Sequence, residues 1–336
     1  MRVASFVFLV ALAAAPAAGA AGERLLPLNT SAYSLCAEED ACTRLGKARL
    51  LGALVIPSRT VEGRRLASLS GLAWDDDDGI LYAISDKGQL FGLKPEFRNG
   101  ELHDVKLANS ASLIDPATNK PVRYRRSDSE GLDILNGHNG RKGDTELVIS
   151  FEGQPRVVRH RPDGGVIAEV PLSPPLNDIN QFRYNRMFEA VCVHPREGIL
   201  VAPEEPLNSD RNTPRLYRTD ARSWKLPKSR GSIVAMERLP DGDVLIMERD
   251  FSPTTLHIVM TLRRLRLHPS APLDQLLESE VVAVFDNHDG LHLDNFEGLA
   301  RHRGNRFFMV SDDNDTLLQR TLLVYFELLD EAAARK

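Results

Sequence analysis

One short unit recurs five times along this chain of 336 residues, and a recurring unit limits the available folds more than any composition does. It begins with an apolar stretch carrying a Ser or Glu near its start, passes through a turn, and ends on an apolar run closed by an acid. The first copy runs from Ser70-Gly71-Leu72-Ala73-Trp74 to Ile80–Asp86, and the second from Glu130-Gly131-Leu132-Asp133-Ile134 to Leu147–Glu152. The third runs from Phe188-Glu189-Ala190-Val191 to Ile199–Glu204, and the fourth from Ser232-Ile233-Val234-Ala235 to Val244–Glu248. The fifth runs from Phe296-Glu297-Gly298-Leu299-Ala300 to Phe307–Asp312.

Between the two halves of each copy lie Asp75 to Gly79, Asn136 to Gly143, Pro195 to Gly198, Pro240-Asp241-Gly242 and Arg303-Gly304-Asn305. Gly, Asn and Asp tolerate the backbone of tight hairpins, so each copy reads as an antiparallel pair. Third strands are expected at Leu90 to Leu93, Arg156 to His160, Arg215 to Arg218, Leu262 to Leu267 and Leu322 to Leu328. Fourth strands are expected at Leu102 to Leu107, Val166 to Pro171, Val281 to Phe285 and, more faintly, Trp224 to Leu226. Four strands per copy describe a propeller blade, and the chain reads as an all-β β-propeller of five four-stranded antiparallel blades. Ala108 to Ser127 is long enough to hide part of a sixth. The last copy lacks a fourth strand while Ala48 to Ile56 forms a strand with no copy of its own, so pairing the two closes the ring. The competing arrangement is a β-sandwich or a pair of smaller β domains.

Residues 1–20 have the form of a signal peptide: Arg2, an apolar core from Phe6 to Ala15, and Ala18-Gly19-Ala20 as a small-residue cleavage site. Export to the periplasm or outside the cell follows as an expectation. The apolar stretch is shorter than the roughly 20 residues needed to span a bilayer, so no membrane span is predicted. Net charge is -5 with acids and bases interspersed, which gives no nucleic-acid signature. Residues 21–47 form an N-terminal segment in which Cys36 and Cys42 flank an acidic loop, a pairing expected to form a local disulfide in an oxidising compartment. Cys192, between Val191 and Val193, reads as a buried small hydrophobe. The propeller is expected over 48–329, with a charged tail at 330–336.

In an antiparallel pair the start of one strand lies beside the end of the other. Ser70 is therefore expected beside Asp86, Glu130 beside Glu152, Glu189 beside Glu204, Ser232 beside Glu248, and Glu297 beside Asp312. If the copies are blades, all five pairs fall at one mouth of the central channel. The metal candidates are Asp86, Glu130, Glu152, Glu189, Glu204, Glu248, Glu297 and Asp312. Carboxylates this crowded repel unless cations offset them, and calcium, which takes six to eight oxygens in flexible geometry, suits such a donor set. The run Asp75 to Asp78 lacks calcium-loop spacing and lies at the other end. His288 and His292 have the spacing of a helical zinc pair, but Gly290 and the surrounding Asp and Asn residues mark a loop. There is no Gly-x-Ser-x-Gly elbow and no phosphate-binding Gly-Lys loop.

At Ser129-Glu130-Gly131-Leu132-Asp133, Phe188-Glu189-Ala190-Val191, Asn295-Phe296-Glu297-Gly298-Leu299-Ala300 and Ser311-Asp312-Asp313-Asn314, the sequence resembles the phytase-like domain family, also described as having esterase-like activity. The resemblance extends over roughly Leu66 to Leu328 and implies a propeller distantly similar to calcium-dependent phytases. By that resemblance Glu130, Glu189 and Glu297 are candidate catalytic bases or partners of a metal and water. Lys87, Arg183, Arg186 and Arg249 are candidate substrate-binding cations. The expected function is metal-assisted hydrolysis of a small-molecule ester or phosphoester; the alternatives are a non-catalytic binding propeller and a lactonase-like hydrolase.

Overall fold

The structure, a computed structural model, describes residues 25–36, 43–268 and 271–329. The expected leader, Cys42 and the tail from residue 330 lie outside the described residues; Cys36 is disulfide-bonded.

Five antiparallel sheets form a five-bladed propeller. Blade one comprises Leu69–Asp75, Ile80–Ser85, Gln89–Arg98 and Glu101–Ser112, with the two-residue strand Leu26–Pro27 added at its outer edge. Blade two comprises Ser129–Leu135, Glu146–Phe151, Arg156–His160 and Val166–Val170, and blade three Phe188–His194, Gly198–Pro203, Arg215–Arg218 and Ser223–Lys225. Blade four comprises Ser232–Arg238, Val244–Ser252, His257–Leu265 and Ser279–Asp286. Blade five comprises Asn295–Arg301, Arg306–Asp312 and Thr321–Leu328, and its fourth strand is Ala48–Ile56 from the N-terminal side, paired with Thr321–Leu328. That pairing closes the ring. The segment from Ala108 to Ser127 holds no sixth blade: its first residues extend blade one's outer strand, and a short 3-10 turn at Tyr124–Arg126 leads to blade two.

The inner strands are near-continuous apolar runs because each blade is covered on both faces by its neighbours; Ile80–Ser85 is buried throughout. Around the axis the first strands of successive blades touch one another. Small residues permit this approach. A Cβ on Gly71 would lie 2.6 Å from the Glu130 carbonyl oxygen, and one on Gly131 would lie 2.6 Å from the Val191 amide nitrogen. Just below the mouth the first strands leave a void of about 10 Å3, and one of about 40 Å3 lies among them toward the other end, so the axis is nearly filled by side chains.

At the other end Asp75, buried, caps its own turn by accepting hydrogen bonds from the Asp77 and Asp78 amides, both at 3.0 Å. Asp77 and Asp78 accept from the Asn139, Gly140 and Gly143 amides of blade two. The aspartate run is a stitch between two blades. Two half-buried acids do similar work nearer the axis: Asp133 accepts from the Val193 amide at 2.5 Å and Glu237 from the Arg301 amide at 2.9 Å. Cys192 is buried and free, and burial pushes its thiol well up, as for a packing residue.

Candidate functional site

Every first strand carries an irregularity at the same place. The register breaks between Leu69 and Gly71, Ser129 and Leu132, Phe188 and Ala190, Ile233 and Ala235, and Phe296 and Gly298. Such a bulge leaves one residue unpaired and re-aims its side chain. The residues so placed are Ser70, Glu130, Glu189, Val234 and Glu297, the inner ring of the mouth. Around them stand the second-strand-side residues one position beyond the partner of the residue that precedes each bulge. In three blades the backbone fixes that position: the Asp86, Glu152 and Glu204 amides donate to the carbonyls of Ser68, Asp128 and Met187.

The register corrects the sequence reading in blade four. Ser232 faces Arg249, and Ile233 faces Glu248. Compared with Leu69↔Ser85, Phe188↔Pro203 and Phe296↔Ser311, Glu248 stands one position before the acid site, and Arg249 fills it. Adjacent strand residues project to opposite faces. Glu248 accordingly leaves the ring and pairs with Arg263 at 3.0 Å. The outer ring is thus Asp86, Glu152, Glu204, Arg249 and Asp312. Asp128, just ahead of blade two, joins the acids and escaped the sequence reading.

The carboxylates crowd on the side of blades two and three. Ligand oxygens of Asp128, Glu130 and Glu152 lie within 4.8 Å of one another, as do those of Glu152, Glu189 and Glu204. Glu152 is common to both groups and also accepts from the Met187 amide at 3.1 Å. Burial pushes the Glu130 carboxyl well above its ordinary range, and the charges of Glu189, Glu297, Asp128 and Glu152 push it further. Glu189 is raised well above by burial, then by Glu204, Glu152 and Glu297. Burial takes Glu152 to about 7 and, with Glu297 adding to it, Asp312 to about 8. Asp86 and Asp128 are also raised, mainly by burial.

The predicted cations answer this charge only in part. Arg249 bonds both Asn295 and Glu297 through one nitrogen. Burial opposes the charge on Arg249, yet Glu297, Glu189 and Glu204 together hold its pKa above the ordinary value. Burial raises Glu297 in spite of Arg249. Lys87 holds Asp86 at 2.6 Å, Arg186 pairs with Glu204, and Arg183 reaches Glu205 at 2.6 Å at the edge. Asp86 Oδ1 remains buried without a hydrogen-bond partner. An orphaned carboxylate oxygen beside two clusters of crowded carboxylates fits a bound hard cation, and these acidic groups could hold a metal.

Two clefts open beside the mouth. One of about 430 Å3 has Asp128 in its wall together with Phe182, Tyr184 and Met187; the other, of about 350 Å3, is lined by Glu204, Glu248, Arg183, Lys228 and Arg230. His288 sits in a 3-10 turn, Asn287–Asp289, so His288 and His292 do not share a helix face. No helix among the described residues is long and apolar enough to cross a membrane.

No curated protein matches the chain significantly. Among solved structures, the chain is similar to a putative gluconolactonase (10% identity, 89% of this chain and 100% of that one, TM-score 0.45). It is also similar to a gluconolactonase from Xanthomonas campestris (10% identity, 90% and 97%, TM-score 0.39) and to the Dos1 propeller (11% identity, 83% and 74%, TM-score 0.37). Similarity this distant carries no function across. Residues 64–315, which contain the whole acidic mouth, match the Phytase-like family, described as "Esterase-like activity of phytase", and the chain belongs to that family.

Proposed function

We propose that this protein is an exported, metal-assisted hydrolase of phosphoesters or small carboxylic esters, with calcium held at the acidic mouth. One observation supports this above the others: two carboxylate triads sharing Glu152, set on a buried rim whose acids outnumber the cations that touch them. Asp128, Glu130, Glu152, Glu189 and Glu204 would hold the ion. When bound, calcium supplies positive charge that polarises a substrate oxygen and favours ionisation of an attacking water.

The chain's own residues supply the rest. Glu297 lies outside both triads, and its Oε1 takes the bonds from Arg249 and Asn295. Its Oε2 is the position we assign to accept the proton of the attacking water, with Arg249 steadying the carboxylate. Lys87 and Arg186 stand on opposite sides of the mouth, each paired with a rim acid. Arg186 would turn to an anionic group of the substrate when calcium takes over Glu204, and the exposed ammonium of Lys87 would reach such a group from beside Asp86.

The test is hydrolysis of phytate, p-nitrophenyl phosphate and p-nitrophenyl acetate by the purified protein with calcium and with chelator. Turnover of one class that depends on calcium and falls in Glu297→Gln supports the reading. Calcium binding without turnover on any of the three would make the mouth a binding site in place of a catalytic one.

A further inference from the structure

On the same end of the propeller as the acidic mouth, at the outer part of blade four, a second group of metal-ligating side chains stands apart from the acids. His257 opens the third strand, Asp286 closes the fourth, and His288 follows in the turn. Their ligand atoms lie within 4.8 Å of one another. His257 Nε2 is 2.8 Å from Asp286 Oδ1, and the two imidazoles stack with centroids 3.8 Å apart and planes 9° from parallel.

The backbone holds this arrangement. Asn287 donates to the Leu256 carbonyl at 2.8 Å and accepts from the Ile258 amide at 3.1 Å, clasping the chain on both sides of His257. Asp286 accepts from the His288 amide at 2.8 Å, which fixes the turn bearing the second imidazole. Tetrahedral zinc with bonds of about 2.0 to 2.1 Å needs its ligands roughly 3.3 Å apart. His257 and Asp286 are half-buried and His288 is exposed, and for both imidazoles to point a nitrogen at one ion the rings would swing out of their parallel stack.

From this geometry we infer that His257, Asp286 and His288 form a site for a borderline divalent ion, zinc or cobalt, with a fourth position open to water. Two imidazoles and one carboxylate select such ions over calcium, whereas the all-oxygen mouth selects the reverse. The protein therefore carries two metal sites of different hardness on one face. The outer one ties the third strand of blade four to the segment that continues into Asn295 and Glu297.

The experiment is titration of untagged protein with Zn2+, followed by calorimetry, and with Co2+, followed by visible absorption, both in saturating calcium. One equivalent should bind, and the cobalt bands should show nitrogen ligation. Losing a direct ligand costs at least as much as losing an outer-shell partner, so His257→Gln and His288→Gln should each weaken binding on the order of 10–100-fold. Glu152→Gln should leave it unchanged. Zinc binding that survives both histidine substitutions, or no zinc binding in calcium-saturated protein, would overturn the assignment. Because the readout is zinc or cobalt binding, it stands or falls separately from any hydrolytic activity.

Discussion

Arg249 occupies in blade four the place that an acid holds in the other blades, and it reaches across the gap between blades to bond Glu297 of blade five. A fixed cation thereby neutralises one sector of the mouth and leaves the uncompensated acids on the side of blades two and three. Removing one member of a fully buried pair costs about 3 kcal/mol or more, and this pair, with both side chains still partly exposed, should lose somewhat less. Arg249→Met should therefore lower the melting temperature by several degrees at pH 8. The loss should shrink at pH 5, where Glu297, its carboxyl already raised by burial, takes up a proton in place of the guanidinium. Thermal melts at the two pH values check this; equal losses at both would mean that Glu297 is not the group left uncompensated.

The raised acids set the sign of the pH dependence. Glu152 at about 7 and Asp312 at about 8 hold protons in the folded protein that the unfolded chain releases near 4 to 5. Their contribution to stability is complete below the unfolded values and is lost as pH rises through the folded ones. Metal-free protein should therefore be less stable at pH 8.5 than at pH 5.5. Calcium binds the ionised form, so its stabilising effect should be largest at the alkaline end. Denaturant midpoints in chelator and in calcium across this range provide the check, and an apo stability that climbs steadily toward pH 8.5 would contradict it.

Packing at the axis yields a prediction free of charge. In Gly131→Ala the new methyl meets the Val191 amide nitrogen and the Ser150 hydroxyl, both at 2.6 Å, so the backbone of blade three has to yield. Overpacking of this kind costs about 1–3 kcal/mol. Because Gly131 follows Glu130 and its Cβ would press on the Glu189 carbonyl, calcium affinity should fall as well. A denaturation curve identical to wild type would show that the first strands are not in such close contact.

Ring closure depends on Ala48–Ile56, which pairs with Thr321–Leu328. Removing residues up to Pro57 exposes the edge of blade five and the apolar surface beneath it. The truncated protein should aggregate on expression; a soluble monomer with an unchanged melting temperature would contradict the closure.

Blade number, hairpins and the closing strand could be read from the sequence because turn residues and apolar runs are local signals. The bulges could not, since an extra residue in one strand is visible only against its partner. That is why Ser232 and Glu248 looked equivalent to the pairs in the other blades. A better anchor was present: Gly71, Gly131, Ala190, Ala235 and Gly298 are the small residues just after each bulge, and counting back one from Ala235 reaches Val234, not Ser232. Asp128 was missed for another reason, because it lies outside the repeated pair and reaches the mouth only through the chain's approach to blade two.

The central claim is that calcium sits where the two triads meet, and Glu152 is the residue they share. The direct measurement is calcium titration by calorimetry on wild type, Glu152→Gln and the exposed control Glu101→Gln, paired with melting curves. At a hundredfold excess over the dissociation constant, bound calcium stabilises the folded state by about 2.7 kcal/mol. Wild type and Glu101→Gln should show that binding and the matching rise in melting temperature. Glu152→Gln should lose both while becoming more stable than wild type without metal at pH 8, because one buried charge is gone. Unchanged calcium binding in Glu152→Gln would place the ion elsewhere and contradict the account.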